Sequence, residues 1–529
     1  MVSPASNRST LAAARHDRHA LVLVLVLIVV MMVALAGFTF AELMLTENKA
    51  ARLHGDQLQL RQALHSGKEH LKLFFEQPRS VQELAGGSMD NPTHFRSIAL
   101  LDDPGTLRSA PNALRFSVVT PTIASPGQPQ SAGVRFGVEN ESGRLHLADL
   151  LRFDKHSPGS GRRALMQLPG MTEATADAIL DWIDADSEPR AMGAEDDYYS
   201  GLAEPYAVRN GLPECIEELL LVKGVTRELL FGADANYNRQ VESHELSKTA
   251  DGPHGGTSAL VPWSWLLTLY SGQRNQTSTG MPRINLNGTN LALLEQQLTP
   301  AVGAPLAAFI VAYRQNGPYT GSDSAIDQVP PIRDAKPPRF EIKSMLDLLY
   351  SKVAVAADDS DDKPKVYASP FPPEPQAQAE MLNKLLDLAT VFDMPVTRGL
   401  VSDNHAPATV LQAVPGIEPQ LAQQIVAARE NGANESPTNR RHPTWLYFEG
   451  LVDFRTMKNL LPYLSTGGDV VRAQIVAHRD QPGTTARAEV IIDATTTPAR
   501  ELLWRDLQLH GQGYPLEWLT AESTVAARN

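Results

Sequence analysis

Apolar residues fill one stretch near the N-terminus and then recur at helical spacing. Residues 20–41 contain no charged side chain, and a helix needs about 20 apolar residues to cross a bilayer. Leucines and phenylalanines then recur among charged residues, and the first proline after the apolar stretch is Pro78. The pattern predicts one long helix over residues 20–77, apolar at its start and amphipathic towards its end.

Short runs of branched and aromatic residues predict strands at both ends of the chain. After Pro78 come "FRSIALLD", "ALRFSVVTPTIA" and "AGVRFGVEN", and near the C-terminus come "DVVRAQIVAHRD", "ARAEVIIDAT" and "ELLWRDLQLHG". The region between them is mainly helical in pattern. We therefore predict an α+β fold, in which residues 78–144 and 466–529 form one small antiparallel sheet and a large helical domain is inserted between them.

Two stretches of the helical region have the composition of loops. Residues 246–264 are rich in Gly and Pro, and residues 351–376 are rich in Asp and Pro. Such composition buries too little apolar surface to order itself. We interpret residues 351–376 as a linker that divides the helical region into residues 145–350 and 377–465.

A short motif recurs irregularly in the helical region. Its copies are "ALMQLPGMTEATADAILDWI", "ELLLVKGVTRELLFG" and "TVLQAVPGIEPQLAQQIVAAR", and a looser fourth copy starts at Asn290. Each pattern predicts two short helices joined by a glycine turn, which is the helix-hairpin-helix arrangement of SAM-like domains. Such turns bind DNA phosphates in some proteins, but the acidic residues here would repel phosphate: Glu173, Asp177, Glu228 and Glu418. A structural role is therefore favoured, with DNA binding as the alternative.

Charge and residue chemistry exclude several classes of function. The formal net charge of -13 argues against a general affinity for nucleic acid. The single cysteine, Cys215, cannot form a disulfide within the chain. The sequence contains no GxSxG, HExxH, Walker loop or GxGxxG motif, and its 14 histidines are scattered. We assign no catalytic residue and expect a protein that is not an enzyme.

Oxygen-bearing side chains between residues 234 and 245 follow the spacing of an EF-hand calcium loop. They are Asp234, Asn236, Asn238, Gln240, Glu242 and Glu245. We predict one structural Ca²⁺, bound by Gln240 through its backbone carbonyl, by Glu242 through water and by Glu245 with both oxygens. Arg239 stands where such loops have glycine. The alternative is a polar turn that only shares the spacing. The ion would fasten the second hairpin to residues 246–264.

The order of these elements resembles the large minor pseudopilin K of type II secretion systems. The apolar helix is followed by "VRFGVENESGRLHLADLL", "ALMQLPGMTEATADAILDWIDADSEPRAMGAEDDYY", "EPYAVRNGLPECIEELLLVKGVT" and "INLNGTN". The resemblance is most specific over residues 164–225 and extends over residues 21–350. It implies a pilin-like sheet and a subunit that caps the tip of a periplasmic pseudopilus. The implied partners are the minor pseudopilins of the I and J types and the inner-membrane platform.

The segment "DWIDADSEPRAMGAEDDYY" places six carboxylates around Gly193. They are Asp184, Asp186, Glu188, Glu195, Asp196 and Asp197. A solvated acidic loop would explain them equally well from the residues alone. The family resemblance implies calcium binding close to such loops, and crowded carboxylates repel each other unless a cation lies between them. We therefore predict a second site for calcium or for a partner.

Arginines before the apolar stretch indicate the orientation of the chain. Arg8, Arg15 and Arg18 precede it, which favours a cytoplasmic leader over residues 1–19 and a periplasmic location for the rest. We expect a single-pass protein of the inner membrane. A cleaved signal peptide ending at Ala36 is the alternative. The family is cut after a glycine before the apolar helix, and this chain has no glycine there.

Overall fold

A computed structural model describes most of the chain. The described residues are 10–100, 113–121, 133–240, 242, 245, 261–332, 336–356, 364–431, 440–479 and 484–520. The α-helices are Thr10–Glu76, Arg79–Leu84, Pro92–Phe95, Leu147–His156, Ser160–Leu165, Glu173–Ile183, Asp196–Ser200, Arg227–Phe231, Trp263–Leu266, Leu291–Val302, Ala304–Asn316, Pro375–Leu388, Ala408–Gln412, Pro419–Asn431, Trp445–Phe448, Phe454–Leu460 and Leu516–Leu519. The 3-10 helices are Glu141–Gly143, Ile216–Leu221, Met345–Leu348 and Gln508–His510.

The strands are numbered in chain order. They are β1 Ile98–Ala99, β2 Leu114–Pro121, β3 Val134–Phe136, β4 Glu139–Asn140, β5 Leu145–His146, β6 Leu267–Thr268, β7 Gln273–Arg274, β8 Ile284–Asn285, β9 Lys352–Val355, β10 Lys365–Ala368, β11 Ala389–Thr390, β12 Val396–Thr397, β13 Val401–Ser402, β14 Leu464–Ser465, β15 Val470–Arg479, β16 Ala486–Asp493 and β17 Arg500–Asp506.

One uninterrupted helix, Thr10–Glu76, forms the N-terminal part of the described chain. Its apolar side chains from Leu21 to Leu45 are exposed, whereas Leu60, Leu64 and Leu71 are buried. In the part of the chain that the structure describes, this is the one helix long and apolar enough to span a membrane. The helix therefore has an unpartnered apolar part and a part that belongs to the fold.

The buried part of the helix packs on a seven-stranded sheet. The strand order is β1-β2-β15-β16-β17, with β3 beside β2 and β4 beside β15, and all pairs are antiparallel. Leu64 and Leu71 share a buried cluster with Val118, Ile475 and Val490. Strands from both ends of the chain thus form one sheet, as the alternating patterns predict, and the α+β fold class is confirmed.

The large insertion leaves and rejoins the sheet at one place. Asn140 at the end of β4 pairs with Val471 near the start of β15. Between these two positions, the helical region is held by a single buried apolar cluster that extends from Leu145 to Leu464. Two separate cores, as a dividing linker would require, are not observed among the described residues.

The prediction of a linker at residues 351–376 is wrong for its described part. Strands β9 and β10 form an antiparallel pair in this stretch. Val353, Val355, Tyr367 and Phe371 belong to the common core of the insertion. The runs "KVAV" and "KVYA" contain the β-branched and aromatic residues that are typical of strands, and the aspartates between them hid this signal in the average composition. Residues 357–363 lie outside the described residues.

The turns of the predicted hairpins contain glycines with positive φ. The angles are 71° at Gly170, 83° at Gly224 and 92° at Gly416. Helices flank each turn, although the element before Gly224 is the 3-10 helix Ile216–Leu221. Only glycine adopts this backbone region at little cost, which explains the residue that the three copies share.

Candidate functional site

The loop at residues 234–240 is closed by its own polar side chains. Asp234 accepts hydrogen bonds from the backbone N–H groups of Asn238 (Oδ1, 3.1 Å) and Arg239 (Oδ2, 2.8 Å). Asn236 Oδ1 accepts from the N–H of Asn238 at 2.9 Å, and Asn238 Oδ1 accepts from that of Gln240 at 2.8 Å. Such bonds from Asp and Asn fix tight turns, and they bring the predicted first, third and fifth ligands to the inside of the loop.

Glu245 reaches back to the start of the same loop. Its Oε1 accepts from the backbone N–H of Ala235 at 2.9 Å and of Asn236 at 3.3 Å, and its Oε2 accepts from that of Glu242 at 3.1 Å. The side chains of Asp234, Asn238 and Glu245 are buried. The structure therefore places the last predicted ligand beside the first ones, while Val241 lies outside the described residues.

Burial and a neighbouring carboxylate perturb the first predicted ligand. The pKa of Asp234 is raised to about 6, mainly by burial and also by the charge of Glu245. Hydrogen bonds from the N–H groups of Arg239 and Asn238 oppose this shift. Two buried carboxylates that face each other are stabilised by a cation between them, so the donor set fits a hard ion such as Ca²⁺.

Arg239 has the backbone that EF-hand loops give to glycine. Its φ is +57°, in the left-handed region that costs an ordinary L-residue about 1–2 kcal/mol. The guanidinium extends away from the loop, and its Nη2 donates to Glu139 Oε2 at 2.6 Å. Arg239 departs from the EF-hand pattern, and it is one of the residues that connect the loop to the sheet.

Arg239 joins a buried ionic network on one face of the sheet. Arg144 donates to the same Glu139 oxygen at 2.7 Å, and Arg472 donates to Glu141 at 2.6 Å. Burial alone would raise the pKa of Glu139, but Arg144 and Arg239 outweigh it and lower that pKa. The opposite face of the sheet carries the apolar cluster with the N-terminal helix, so the polar face is the one that receives the insertion.

The loop lies against the C-terminal part of the chain. Asn238 Nδ2 donates to the carbonyl of Gly513 at 3.1 Å, and Gln474 Nε2 donates to the carbonyl of Tyr237 at 2.6 Å. The ring of Tyr237 contacts that of His510 edge to face. The predicted attachment of the loop to residues 246–264 stays a prediction, because residues 246–260 lie outside the described residues. The described contacts attach the loop to the sheet and to the C-terminal residues that follow it.

The structure separates the six carboxylates of residues 184–197 into two groups. Among the described residues, Asp184, Asp186 and Glu195 form the one group of three or more potential metal ligands whose ligand atoms lie within 4.8 Å of one another. Glu188 is exposed. Asp196 accepts a hydrogen bond from the N–H of Val208, and Asp197 is exposed on a separate short helix. The site predicted with six carboxylates is therefore a candidate with three.

Glu195 is the least satisfied member of this cluster. Its side chain is 5% exposed, and neither carboxylate oxygen has a hydrogen-bond partner among the described residues. Burial raises the pKa of Glu195 to about 7, and the charges of Asp181, Asp184 and Asp186 act in the same direction. A buried carboxylate without a partner is costly, so this group is suited to receive a cation.

Two aspartates of the helix Glu173–Ile183 hold the acidic loop that carries the carboxylates of residues 184–197. Neither aspartate was among the predicted ligands. Asp177 accepts a hydrogen bond from the backbone N–H of Met192 in this loop at 3.2 Å, and it also accepts from Nε and Nη2 of Arg162 at 2.6 Å. Asp181 accepts from Arg190 Nη1 at 2.7 Å and from the N–H of Ala194 at 2.8 Å. Their spacing of four residues on Glu173–Ile183 was the available signal, because it places both on one helix face.

Gly193 allows the loop to approach this helix. A Cβ atom at this position would lie 1.8 Å from Asp181 Oδ2. Arg190 Nη1 also donates to Asp184 Oδ2 at 2.5 Å. Asp184 therefore forms an ion pair with Arg190, whereas Asp186 and Glu195 have no ion pair among the described residues.

The basic residue at the second hairpin turn is engaged within the chain. Lys223 Nζ donates to the carbonyl of Gly193 at 3.2 Å and lies 4.9 Å from the centre of the Tyr198 ring. A phosphate-binding turn needs free cations. This contact connects the second hairpin to the acidic loop and gives no support to DNA binding.

Comparison with known proteins identifies the segment that contains the acidic cluster. The family described as "Type II secretion system (T2SS), protein K" matches residues 143–231. A protein named "Type II secretion system protein K" from Pseudomonas aeruginosa is 29% identical over 200 residues, which are 36% of this chain and 54% of that protein. A protein of the same name from Pectobacterium carotovorum subsp. carotovorum is 48% identical over 52 residues, 10% of this chain and 16% of that protein.

A crystal structure described as the GspK-GspI-GspJ complex from the enterotoxigenic Escherichia coli type 2 secretion system matches with 11% identity and a TM-score of 0.31, covering 86% of this chain and 98% of that chain. The chain spans about half the length of the first curated relative. The resemblance to the protein K family that the sequence indicates is confirmed, and residues 143–231 carry it.

Proposed function

We propose that this chain, which carries the protein K domain of type II secretion systems, is a minor pseudopilin that caps the tip of the periplasmic pseudopilus. The family match at residues 143–231 supports the class of protein. The observation that carries the proposal is the N-terminal helix, which is exposed and apolar over residues 21–41 and packs on a sheet from Leu60 onwards. Such a helix can lie in the inner membrane first and among neighbouring helices of a filament afterwards.

The insertion supports the capping role. It leaves the sheet after Asn140 and returns before Val471, which pair with each other. A domain of this size on one side of a small sheet occupies the space that a further subunit would need. The proposed partners are the minor pseudopilins of the I and J types and the inner-membrane platform, as the resemblance to protein K implies; the similar proteins bear the name protein K. No catalytic group is required.

Two calcium ions are part of the proposal. One would be held by the EF-hand-like loop, where Asp234 and Glu245 are buried beside each other. The other would be held by Asp184, Asp186 and Glu195, where both oxygens of Glu195 have no partner among the described residues. Both ions would be structural, because the first loop is attached to the sheet and the second to the helix Glu173–Ile183.

The N-terminus of the mature protein tests the anchor. Intact-mass and peptide mass spectrometry of the chain purified from inner membranes should find residues 21–45 present. A start near residue 20 would indicate processing of the pilin type despite the missing glycine. A mature chain that begins at Gly37 would contradict the proposal, because the part of the helix that enters the membrane and the filament would be gone.

A further inference from the structure

A large cleft opens where the N-terminal helix ends. Its volume is about 1080 Å³, which lies just above the range of about 300–1,000 Å³ for small-molecule pockets. The lining includes residues from Phe75 to Met89, the region from Gln273 to Arg283, and the turns around Phe392 and His442. A ligand here would contact both the helix that packs on the sheet and the insertion.

The charge of the cleft is opposite to that of the chain. Eight arginine and lysine side chains line it, against four carboxylates, although the chain as a whole has a net charge of -13. The cations are Arg79, Arg152, Arg274, Arg283, Lys343, Arg398, Arg440 and Arg441. A cleft lined by one sign of charge concentrates its field and attracts groups of the opposite sign.

Several of these cations are not neutralised. Arg274 pairs with Asp469 at 3.3 Å and Arg441 with Glu83 at 2.6 Å. In contrast, Arg79, Lys343 and Arg398 make no ion pair with any described residue. Arg79 is half-buried and lines the cleft. The uncompensated charge is therefore available to a ligand.

The pKa values of two histidines in the cleft are lowered, in part by the same positive charges. Burial lowers the pKa of His442 to about 3, and the charges of Arg283, Arg79 and Arg441 add to the effect. Burial also lowers the pKa of His405 to about 4, with Arg79 among the arginines that contribute. Both imidazoles are neutral at physiological pH, so they add hydrogen-bonding groups to the cleft without adding charge.

Exposed apolar side chains accompany the cations. Phe392 is 52% exposed and Met394 is 62% exposed, and both line the cleft. Aromatic residues, methionine and arginine are enriched where proteins bind other proteins. A single inorganic anion would use neither the volume nor these apolar side chains.

We propose that this cleft binds an acidic segment of a partner polypeptide, with carboxylates at Arg79 and Arg398 and an apolar side chain at Phe392 and Met394. This inference does not depend on a role in a filament, because it rests on the charge and shape of the cleft alone.

The test is binding of a fluorescein-labelled peptide of alternating glutamate and phenylalanine to the full-length chain in detergent, followed by fluorescence anisotropy. The Arg79→Glu/Arg398→Glu variant should weaken binding about tenfold or more. The matched control is Arg163→Glu/Lys365→Glu, which makes the same change of net charge at exposed positions outside the cleft and should leave binding within about twofold. Both expectations assume that close charge pairs govern binding more than distant ones.

Three outcomes would overturn the proposal. Equal loss in the two variants would mean that only net charge matters. Equal binding of a peptide with lysine in place of glutamate would remove the charge complementarity. Binding of inorganic pyrophosphate without binding of the acidic peptide would show a site for small anions. Thermal unfolding that is the same in both variants would exclude a folding defect as the cause of lost binding.

Discussion

Arg239 Nη2 donates to Glu139 Oε2 at 2.6 Å, from a backbone that has φ of +57°. The two residues are 100 positions apart in the chain, one in the EF-hand-like loop and the other in strand β4 of the sheet. The pair joins the insertion to the sheet through a residue whose backbone is strained. The gain from the ion pair therefore has to exceed the cost of the left-handed conformation.

We predict that Arg239→Gly lowers the free energy of unfolding. Glycine relieves about 1–2 kcal/mol of strain, but losing one partner of a buried ion pair costs about 3–5 kcal/mol when the other charge is left alone. Because Glu139 keeps Arg144, we expect the lower part of that cost and a net loss of about 1–3 kcal/mol. Urea unfolding of the full-length chain in detergent measures it.

Asn210→Gly is the matched control. Asn210 also has a positive φ, of 50°, but it makes no ion pair. Relief of strain should leave this variant as stable as the unchanged chain or slightly more stable. A gain of stability in both variants would mean that the pair between Arg239 and Glu139 contributes little.

We predict that the chain binds two calcium ions and that each can be removed separately. Asp234→Ala/Glu245→Ala should abolish the ion of the loop, and Asp186→Asn/Glu195→Gln should abolish the ion of the cluster. Because the pKa of Glu195 is raised to about 7, its proton competes with the cation, and the cluster should bind more weakly at pH 6 than at pH 8. Calorimetric titration with calcium at the two pH values measures stoichiometry and affinity.

The control for the cluster is Asp196→Asn/Asp197→Asn. These carboxylates are neighbours in sequence but lie outside the group of three, so both ions should still bind. Heats identical to those of the unchanged chain in all three variants would contradict both sites. Loss of an ion in the control would show that the cluster is larger than the structure indicates.

We predict that Gly67→Ala loosens the contact between the N-terminal helix and the sheet. A Cβ atom there would lie 2.6 Å from Ile475 Cγ2, and overpacking of a core costs about 1–3 kcal/mol. That exceeds the gain of about 0.5–1 kcal/mol that alanine brings to a helix. Gly55→Ala is the control, since no atom lies within 4 Å of its added Cβ. Thermal unfolding should shift down in the first variant and up, or not at all, in the second.

We predict that Asp403→Asn makes the chain more stable at alkaline pH. Asp403 is fully buried, Trp445 Nε1 donates to its Oδ2 at 2.9 Å, and burial raises its pKa to about 8. The folded state therefore binds the proton of Asp403 more tightly than the unfolded state does. The stabilisation that comes from this proton is complete below about pH 4, and it is lost as the pH rises to about 8, by about 1.4 kcal/mol per pH unit.

Asparagine keeps an acceptor for Trp445 and does not ionise. The stability of Asp403→Asn relative to the unchanged chain should therefore increase by about 2–4 kcal/mol between pH 5 and pH 8. Urea unfolding of both proteins at the two pH values measures the difference, and all other titrating groups cancel in the comparison. A difference that does not change with pH would refute the prediction.

The sequence predicted the fold where the pattern is local and periodic. The alternating residues of β2, β15 and β16 and the helical spacing after residue 41 were sufficient, because each face of these elements has one environment. The strands β9 and β10 were missed because four aspartates between them dominate the composition of that stretch. The β-branched and aromatic residues of the two short runs were the better signal there.

The positions of the candidate sites along the chain were predictable from the sequence, but the residues that make up each site were not. Spacing identified the loop from Asp234 to Glu245, because the ligands of such a loop are close in sequence. It did not show that Arg239 would pair with Glu139, since that contact depends on how the insertion returns to the sheet. Spacing also did not show that Arg190 would pair with Asp181, or that Glu195 would have no hydrogen-bond partner among the described residues.

Affinity purification of the tagged full-length chain from the inner membranes of its own host, with quantitative mass spectrometry of what accompanies it, tests the central claim most directly. Pilin-like subunits of the I and J types should be enriched with the chain, and a Val29→Glu variant, which places a charge in the exposed apolar part of the N-terminal helix, should lose them or fail to remain in the membrane. Enrichment of DNA without any pilin-like subunit would contradict the account and favour the DNA-binding alternative.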